Sequence, residues 1–223
     1  FLVITLNNPE TSTIFIDRFL VSSEAYDVTT ILLFNKLDTL DKNEFGELKY
    51  LAEIYRDIGY HCIGISASTG KNLDQVKDLM IDKVSVFAGH SGVGKSSIIN
   101  AMDDNINIKT KAISEQHAQG QHTTTFAEMH DTHFGAKIID TPGIRGFGMI
   151  NMEKEELSDY FREFFALKSE CKFHNCLHVN EPKCAIKAAL QEDIIAYSRY
   201  KSYCQILNEL EEQDQTFRKN PYA

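Results

Sequence analysis

Short apolar runs alternate with segments of helical periodicity through the first two-thirds of the chain. Residues 1–6, 29–34, 60–65, 84–88 and 137–140 are apolar runs of strand length, several of them apolar on both faces, and 126–134 reads as a more polar strand nearer a sheet edge. Between them, 11–26, 43–58, 73–81 and 95–102 space their apolar residues as helices do. Strands alternating with helices predict a parallel sheet covered on both sides, an α/β three-layer sandwich. The stretch 103–125 is polar, lacks apolar periodicity and contains Gly120, so it reads as a loop. After residue 150 the pattern changes. Helices are predicted over 153–167 and 185–213, with a Cys/His-rich knot between them and a polar tail after Glu211 that is expected to fray. The expected division is an α/β domain over 1–150 and a small α-helical domain over 151–223.

Composition narrows this picture only in places. The 223 residues suffice for a sizeable core and a small second unit, and 43% apolar and 25% charged residues are ordinary for a soluble globular chain. A formal charge of -9 argues against nucleic-acid binding across the whole face. No uninterrupted apolar stretch approaches membrane-spanning length, so no membrane partner is expected. The chain opens inside an apolar run without a Met, without a basic region and without a cleavage pattern, which excludes a signal peptide and implies that a further segment precedes it. Five cysteines, an odd number, with three of them close to a histidine, favour a reducing, cytoplasmic compartment and a metal site over a disulfide framework. Cys62 on a predicted strand and Cys204 on a predicted helix read as passive thiols.

The most specific signal lies where the run 84–88 meets Gly89-His90-Ser91-Gly92-Val93-Gly94-Lys95-Ser96, followed by Ser97. This is a full G-x-x-x-x-G-K-[ST] match between a strand and a helix. Glycines let backbone N–H groups wrap phosphates, and the helix N-terminus adds partial positive charge. Lys95 would reach the outer phosphates and the Ser96 hydroxyl would ligate Mg²⁺. An unrelated Gly-rich turn would not be expected to carry the strand, lysine, serine and helix together.

The choice of base comes from Asn35-Lys36-Leu37-Asp38, directly after the strand 29–34. An Asp carboxylate accepts from both N1–H and the exocyclic amine of guanine, a donor pair that adenine lacks. Asn35 would contact the base edge and the Lys36 stem would cover the ring. Ser66-Ala67-Ser68, after the strand 60–65, resembles the S-A-K loop of GTPases, in which the alanine N–H meets the guanine carbonyl; Ser68 stands where a lysine is usual. Asp140-Thr141-Pro142-Gly143 matches D-x-x-G, with Asp140 near Mg²⁺ and the Gly143 N–H sensing the γ-phosphate. Upstream, Gly120-Gln121-His122-Thr123-Thr124-Thr125 supplies candidates for a switch threonine on Mg²⁺, Thr124 or Thr125 being preferred.

Cys171-x₄-Cys176-x-His178-x₅-Cys184 offers three thiolates and one imidazole. Four N/S donors suit tetrahedral Zn²⁺, and a closed set implies one structural ion. His174 competes with His178 for the fourth position.

The motifs run in the order base, base, phosphate loop, switch threonines, D-x-x-G, whereas ordinary GTPases place the base motifs last. Chain order can change when the natural ends of a fold lie close together. With residues 89–97, the His122–Thr125 run, Asp140–Arg145 with Gly146-Phe147-Gly148, and the cysteine cluster with Glu181-Pro182 before Cys184, the chain resembles the circularly permuted small ribosomal subunit biogenesis GTPase A family, the YjeQ type. The resemblance covers essentially the whole chain. It implies a permuted P-loop GTPase domain followed by a zinc-binding helical domain, an OB-fold ahead of Phe1, hydrolysis of GTP to GDP with Mg²⁺, and the small (30S) subunit with its rRNA as partner, the protein acting as a monomer. Two positions depart from the family pattern, Gln121 where Arg is usual and His90 where Gln is usual.

The residue after Gly143 is Ile144, which cannot hydrogen-bond a water as the glutamine of Ras-like GTPases does. Slow intrinsic turnover, accelerated by a partner, is therefore expected. Mg²⁺ and Lys95 are the expected charge-neutralising groups, and Thr124 is the expected catalytic switch threonine on Mg²⁺. His122 is a candidate for positioning the water, and equally a loop histidine that contacts RNA or nothing. Because D-x-x-G is followed directly by the helical unit, loss of γ-phosphate contacts is expected to act on that unit. Two other functions fit the same motifs: a permuted GTPase acting on another ribosomal particle, and a nucleotide-gated RNA-binding module with negligible hydrolysis.

Overall fold

The computed structural model describes residues 1–106, 128–140 and 152–219, with the side chains of Glu128, Asp140 and 213–219 outside that description. In chain order the elements are β1 (Leu2–Ile4), α1 (Thr13–Ala25), β2 (Ile31–Phe34), α2 (Lys42–Asp57), β3 (His61–Gly64), α3 (Leu73–Met80), β4 (Val84–Val86), α4 (Lys95–Met102), β5 (Glu128–Asp131), β6 (Lys137–Asp140), α5 (Arg162–Leu167), α6 (Ala185–Gln191) and α7 (Tyr197–Lys219). The chain divides into two compact units, Phe1–Thr11 with Thr30–Gly146, and Ser12–Thr29 with Phe147–Ala223.

The first unit is built on its sheet. β1 pairs with β2 and β2 with β3, all parallel, so that Val3, Leu33 and Ile63 lie abreast. β4 pairs parallel with β6, and β5 pairs antiparallel with β6. A parallel bridge between Leu2 and Ala88 joins the two triplets, with Val3 N donating to Ala88 O at 2.8 Å and Ala88 N to Phe1 O at 2.9 Å. The resulting order is β3-β2-β1-β4-β6-β5, the antiparallel strand lying at an edge as its polar sequence predicts.

Val3, Leu33, Ile63 and Ile138 form one apolar face with Leu73, Val76 and Met80 of α3 and Ile98, Ile99 and Met102 of α4. Full burial of such side chains stabilises the fold by roughly 1.5–3 kcal/mol each. Leu2, Ile4, Leu32 and Phe34, which point the other way, are also fully buried, which is why these strands show no polar alternation. α2 buries only Leu48, Ala52 and Tyr55. It starts at a capping box, with the Asp41 carboxylate accepting from Asn43 N and Glu44 N at 2.8 and 2.9 Å and Glu44 accepting from Asp41 N at 2.9 Å.

The second unit packs Val21 of α1 with Leu157, Phe161, Phe164, Ile186, Tyr203, Ile206 and Leu210. Here the structure departs from the periodicity. The predicted helix 153–167 is a 3-10 turn, Leu157–Tyr160, followed by α5, and 185–213 is broken into α6 and α7 where Asp193 takes φ +55°. α7 continues to Lys219, beyond the point at which fraying was expected. Helix α1, which chain position assigns to the α/β domain of 1–150, belongs to the helical unit. Arg199 Nη1 donates to Asp17 Oδ1 at 2.6 Å, Arg162 Nε to Glu24 Oε1 at 2.9 Å, and Arg18 pairs with Glu209. Among the described residues no helix is long and apolar enough to cross a membrane.

Candidate guanine-nucleotide and metal sites

β4 runs into the glycine loop and α4 leaves it. Gly89, Gly92 and Gly94 adopt φ of +139°, +87° and +99°, which residues with side chains rarely take. A Cβ on Gly89 would sit 2.6 Å from Val3 O, so the loop needs glycine where it crosses β1. Gly94 is the N-cap of α4 and supplies no side-chain cap; a helix N-terminus of this kind favours an anion. Lys95 Nζ folds over the loop and donates to Gly89 O at 2.8 Å and His90 O at 2.9 Å. Ser91, Gly92 and Ser97 are exposed, Ser96 is half-buried, and Val93 anchors the loop in the core.

The base loops gather beside it at the ends of β2 and β3. Asn35 is buried, and its amide bridges two loops: Nδ2 donates to Val93 O at 2.8 Å and Oδ1 accepts from Ala67 N at 3.2 Å. The motifs predict Asn35 on the base edge and the Ala67 N–H on the base carbonyl; in the structure the two bond each other and tie the base loop to the phosphate loop. Lys36 takes φ +68° and its ammonium reaches Asn8 O. Asp38 stands exposed at the mouth, with Oδ1 accepting from Ser66 Oγ at 2.5 Å and Oδ2 from Ser68 Oγ at 2.6 Å. The hydroxyls of Ser66 and then Ser68 hold its carboxyl below the usual carboxylate range, which keeps it an acceptor. Asp140 ends β6, but its side chain, together with His122, Thr124, Thr125 and Gly143, lies outside the described residues.

In the helical unit, Cys171, Cys176, His178 and Cys184 bring their donor atoms within 4.8 Å of one another. His178 Nδ1 lies 3.6 Å from Cys171 Sγ and 3.4 Å from Cys184 Sγ, and the two sulfurs are 3.9 Å apart. These are edges of the size a tetrahedron around Zn²⁺ requires, roughly 3.5–3.8 Å from metal–ligand bonds of about 2.0–2.3 Å. Burial pushes the Cys176 thiol up to about 12 and also raises Cys184. Burial lowers His178, favouring the neutral imidazole that a metal needs. His174 is exposed and outside the cluster.

The support of this loop was not legible in the motif. Glu181 accepts from Leu177 N at 2.8 Å, Val179 N at 3.0 Å and Asn180 N at 3.1 Å, wrapping the turn that carries His178 at φ +60°. Tyr200 Oη donates to His178 O at 2.9 Å and Tyr203 Oη to Leu177 O at 3.1 Å. The only sequence hint was a glutamate three residues after a candidate ligand.

Adenine offers no donor pair to Asp38, so a phosphate loop tied through Asn35 to the Ser66–Ser68 loop that holds that carboxylate defines the class: a guanine-nucleotide P-loop GTPase with its base loops ahead of its phosphate loop in the chain. The RsgA GTPase family model matches residues 1–150, and the chain belongs to that family. It is 61% identical over 222 residues to the small ribosomal subunit biogenesis GTPase RsgA of Christiangramia forsetii, covering 100% of this chain and 70% of the relative. Its likeness to the protein of the same name from Flavobacterium psychrophilum is 57% over 222 residues, covering 100% and 67%. Among solved structures, YjeQ from Thermotoga maritima matches with a TM-score of 0.82 at 37% identity over 94% of this chain and 69% of that one. YloQ, described as a circularly permuted GTPase, matches with a TM-score of 0.78 at 32% identity, covering 95% and 68%.

Proposed function

We propose that the chain is the GTP-hydrolysing and metal-binding part of an assembly factor for the small ribosomal subunit, acting in the cytoplasm with its hydrolysis stimulated by that subunit. The observation that carries the reading is the Asn35 bridge, which fixes the guanine-selecting loops relative to the phosphate loop. The target is drawn from the relatives, each of which is named for small-subunit biogenesis.

In this reading Asp38 selects guanine, and Lys95 exchanges its two loop carbonyls for phosphate oxygens when nucleotide binds. Ser96, Asp140 and Thr124 or Thr125 would hold Mg²⁺, which when bound neutralises charge on the transferring phosphoryl group. Cys171, Cys176, His178 and Cys184 would hold one Zn²⁺, whose role is to fold the loop; no open position is left for chemistry. Ile144 offers the water no hydrogen bond, so turnover by the isolated protein is slow.

The test is phosphate release from GTP by the full-length protein with and without purified small subunits. Stimulation of tenfold or more by small subunits, and none by large subunits, is the expected result. Stimulation by large subunits instead would redirect the target, and nucleotide-dependent rRNA binding without hydrolysis would make the chain a binding module.

A further inference from the structure

Ser68 occupies the position where S-A-K loops carry lysine, and no motif gives it a task. The geometry does. Asp38 sits in an exposed 3-10 turn, Leu37–Thr39, and a carboxylate there turns easily about its last torsion. A single hydroxyl on one oxygen leaves that rotation largely free. Here Ser66 Oγ binds Oδ1 at 2.5 Å while Ser68 Oγ binds Oδ2 at 2.6 Å. Ser66 is fully buried and is itself set by Thr69 N at 3.2 Å, so one end of the clamp is rigid. Ser68, exposed, supplies the other end. Two donors on different oxygens fix the carboxylate plane. Each oxygen keeps a second lone pair, and two parallel acceptors in a fixed plane match two parallel donors.

We propose that Ser68 is a specificity-determining positioning residue, its hydroxyl locking the Asp38 carboxylate in the plane that receives N1–H and the 2-amino group of guanine. The inference rests on the reading of Asp38 as the guanine acceptor.

The experiment titrates GDP and IDP, which lacks the 2-amino group, against the intact protein and its Ser68→Ala, Ser68→Thr and Asp38→Asn variants. Ser68→Ala weakens GDP by about two- to tenfold and IDP by less, so the preference for GDP shrinks. Ser68→Thr, which keeps the hydroxyl, restores it. In the subunit-stimulated reaction Ser68→Ala raises KM for GTP and leaves kcat unchanged. If Ser68→Ala keeps the full preference, or weakens both nucleotides equally, while Asp38→Asn abolishes GDP binding, the role of Ser68 is overturned and the base site stands. If Asp38→Asn binds GDP as before, the base-site reading itself fails, and the clamp with it.

Discussion

At Arg199, three groups converge on one guanidinium that is 1% exposed. Nε and Nη2 bind the Glu163 carboxylate at 2.7 and 3.1 Å, Nη1 binds Asp17 at 2.6 Å, and the group lies over the Phe161 ring, 4.5 Å from its centroid. Taking such a charge out of water is costly, and only complete pairing offsets the cost. Removing it takes this cation away from two interior carboxylates, Asp17 and Glu163. Arg199→Ala is therefore expected to destabilise the helical unit by about 3–5 kcal/mol, read as a lower urea midpoint of its transition. Arg199→Lys recovers only part, because an ammonium cannot make the bidentate contact. None of this was legible in the sequence, where Arg199 is one cation in a polar helix; its partners lie 36 and 182 residues away. Asn35 teaches the same lesson from the other side. Its motif identified it, but only the fold revealed that its amide joins two loops.

At the scale of the element, the metal loop is a turn held by side chains more than by regular backbone pairing. Ala185 N points at Cys171 Sγ at 3.3 Å, and Glu181 accepts from the loop amides of Leu177, Val179 and Asn180. The donors converge only when the ends of this loop meet, so binding and local folding are coupled. With zinc as the ion, the protein is expected to contain one equivalent, and Cys184→Ser to contain far less. Chelation should lower the unfolding midpoint of the helical unit while leaving GDP binding by the other unit intact; metal analysis with circular dichroism and nucleotide titration checks both. The ligand spacing was legible because it is local. The lengths of α5, α6 and α7 were not, since apolar spacing continues across two backbone breaks, one at extended Phe161 (φ -104°, ψ 105°) and one at left-handed Asp193 (φ +55°).

At the scale of the whole molecule, the two units do not follow chain order. α1 is the second element of the chain, yet it completes the helical unit with Val21 in its core and three ion pairs to α5 and α7. A fragment of 151–223 lacks those partners. It is expected to be less helical and to melt without a cooperative transition even with zinc, whereas adding a peptide of residues 12–29 should restore helicity; circular dichroism of the fragment alone and with the peptide checks this. Sequence by itself determined the α/β alternation, the phosphate loop, the guanine motif, the three cysteine donors with two candidate histidines, and the permuted motif order, because each depends on local spacing or on residue chemistry within one turn. Tertiary structure alone decided which unit claims α1, how Asn35 ties two loops together, and how Ser66 and Ser68 orient Asp38. Those outcomes depend on groups that meet only after the chain has closed loops of tens to hundreds of residues, and periodicity carries no information about which distant partner an amphipathic or polar face will find.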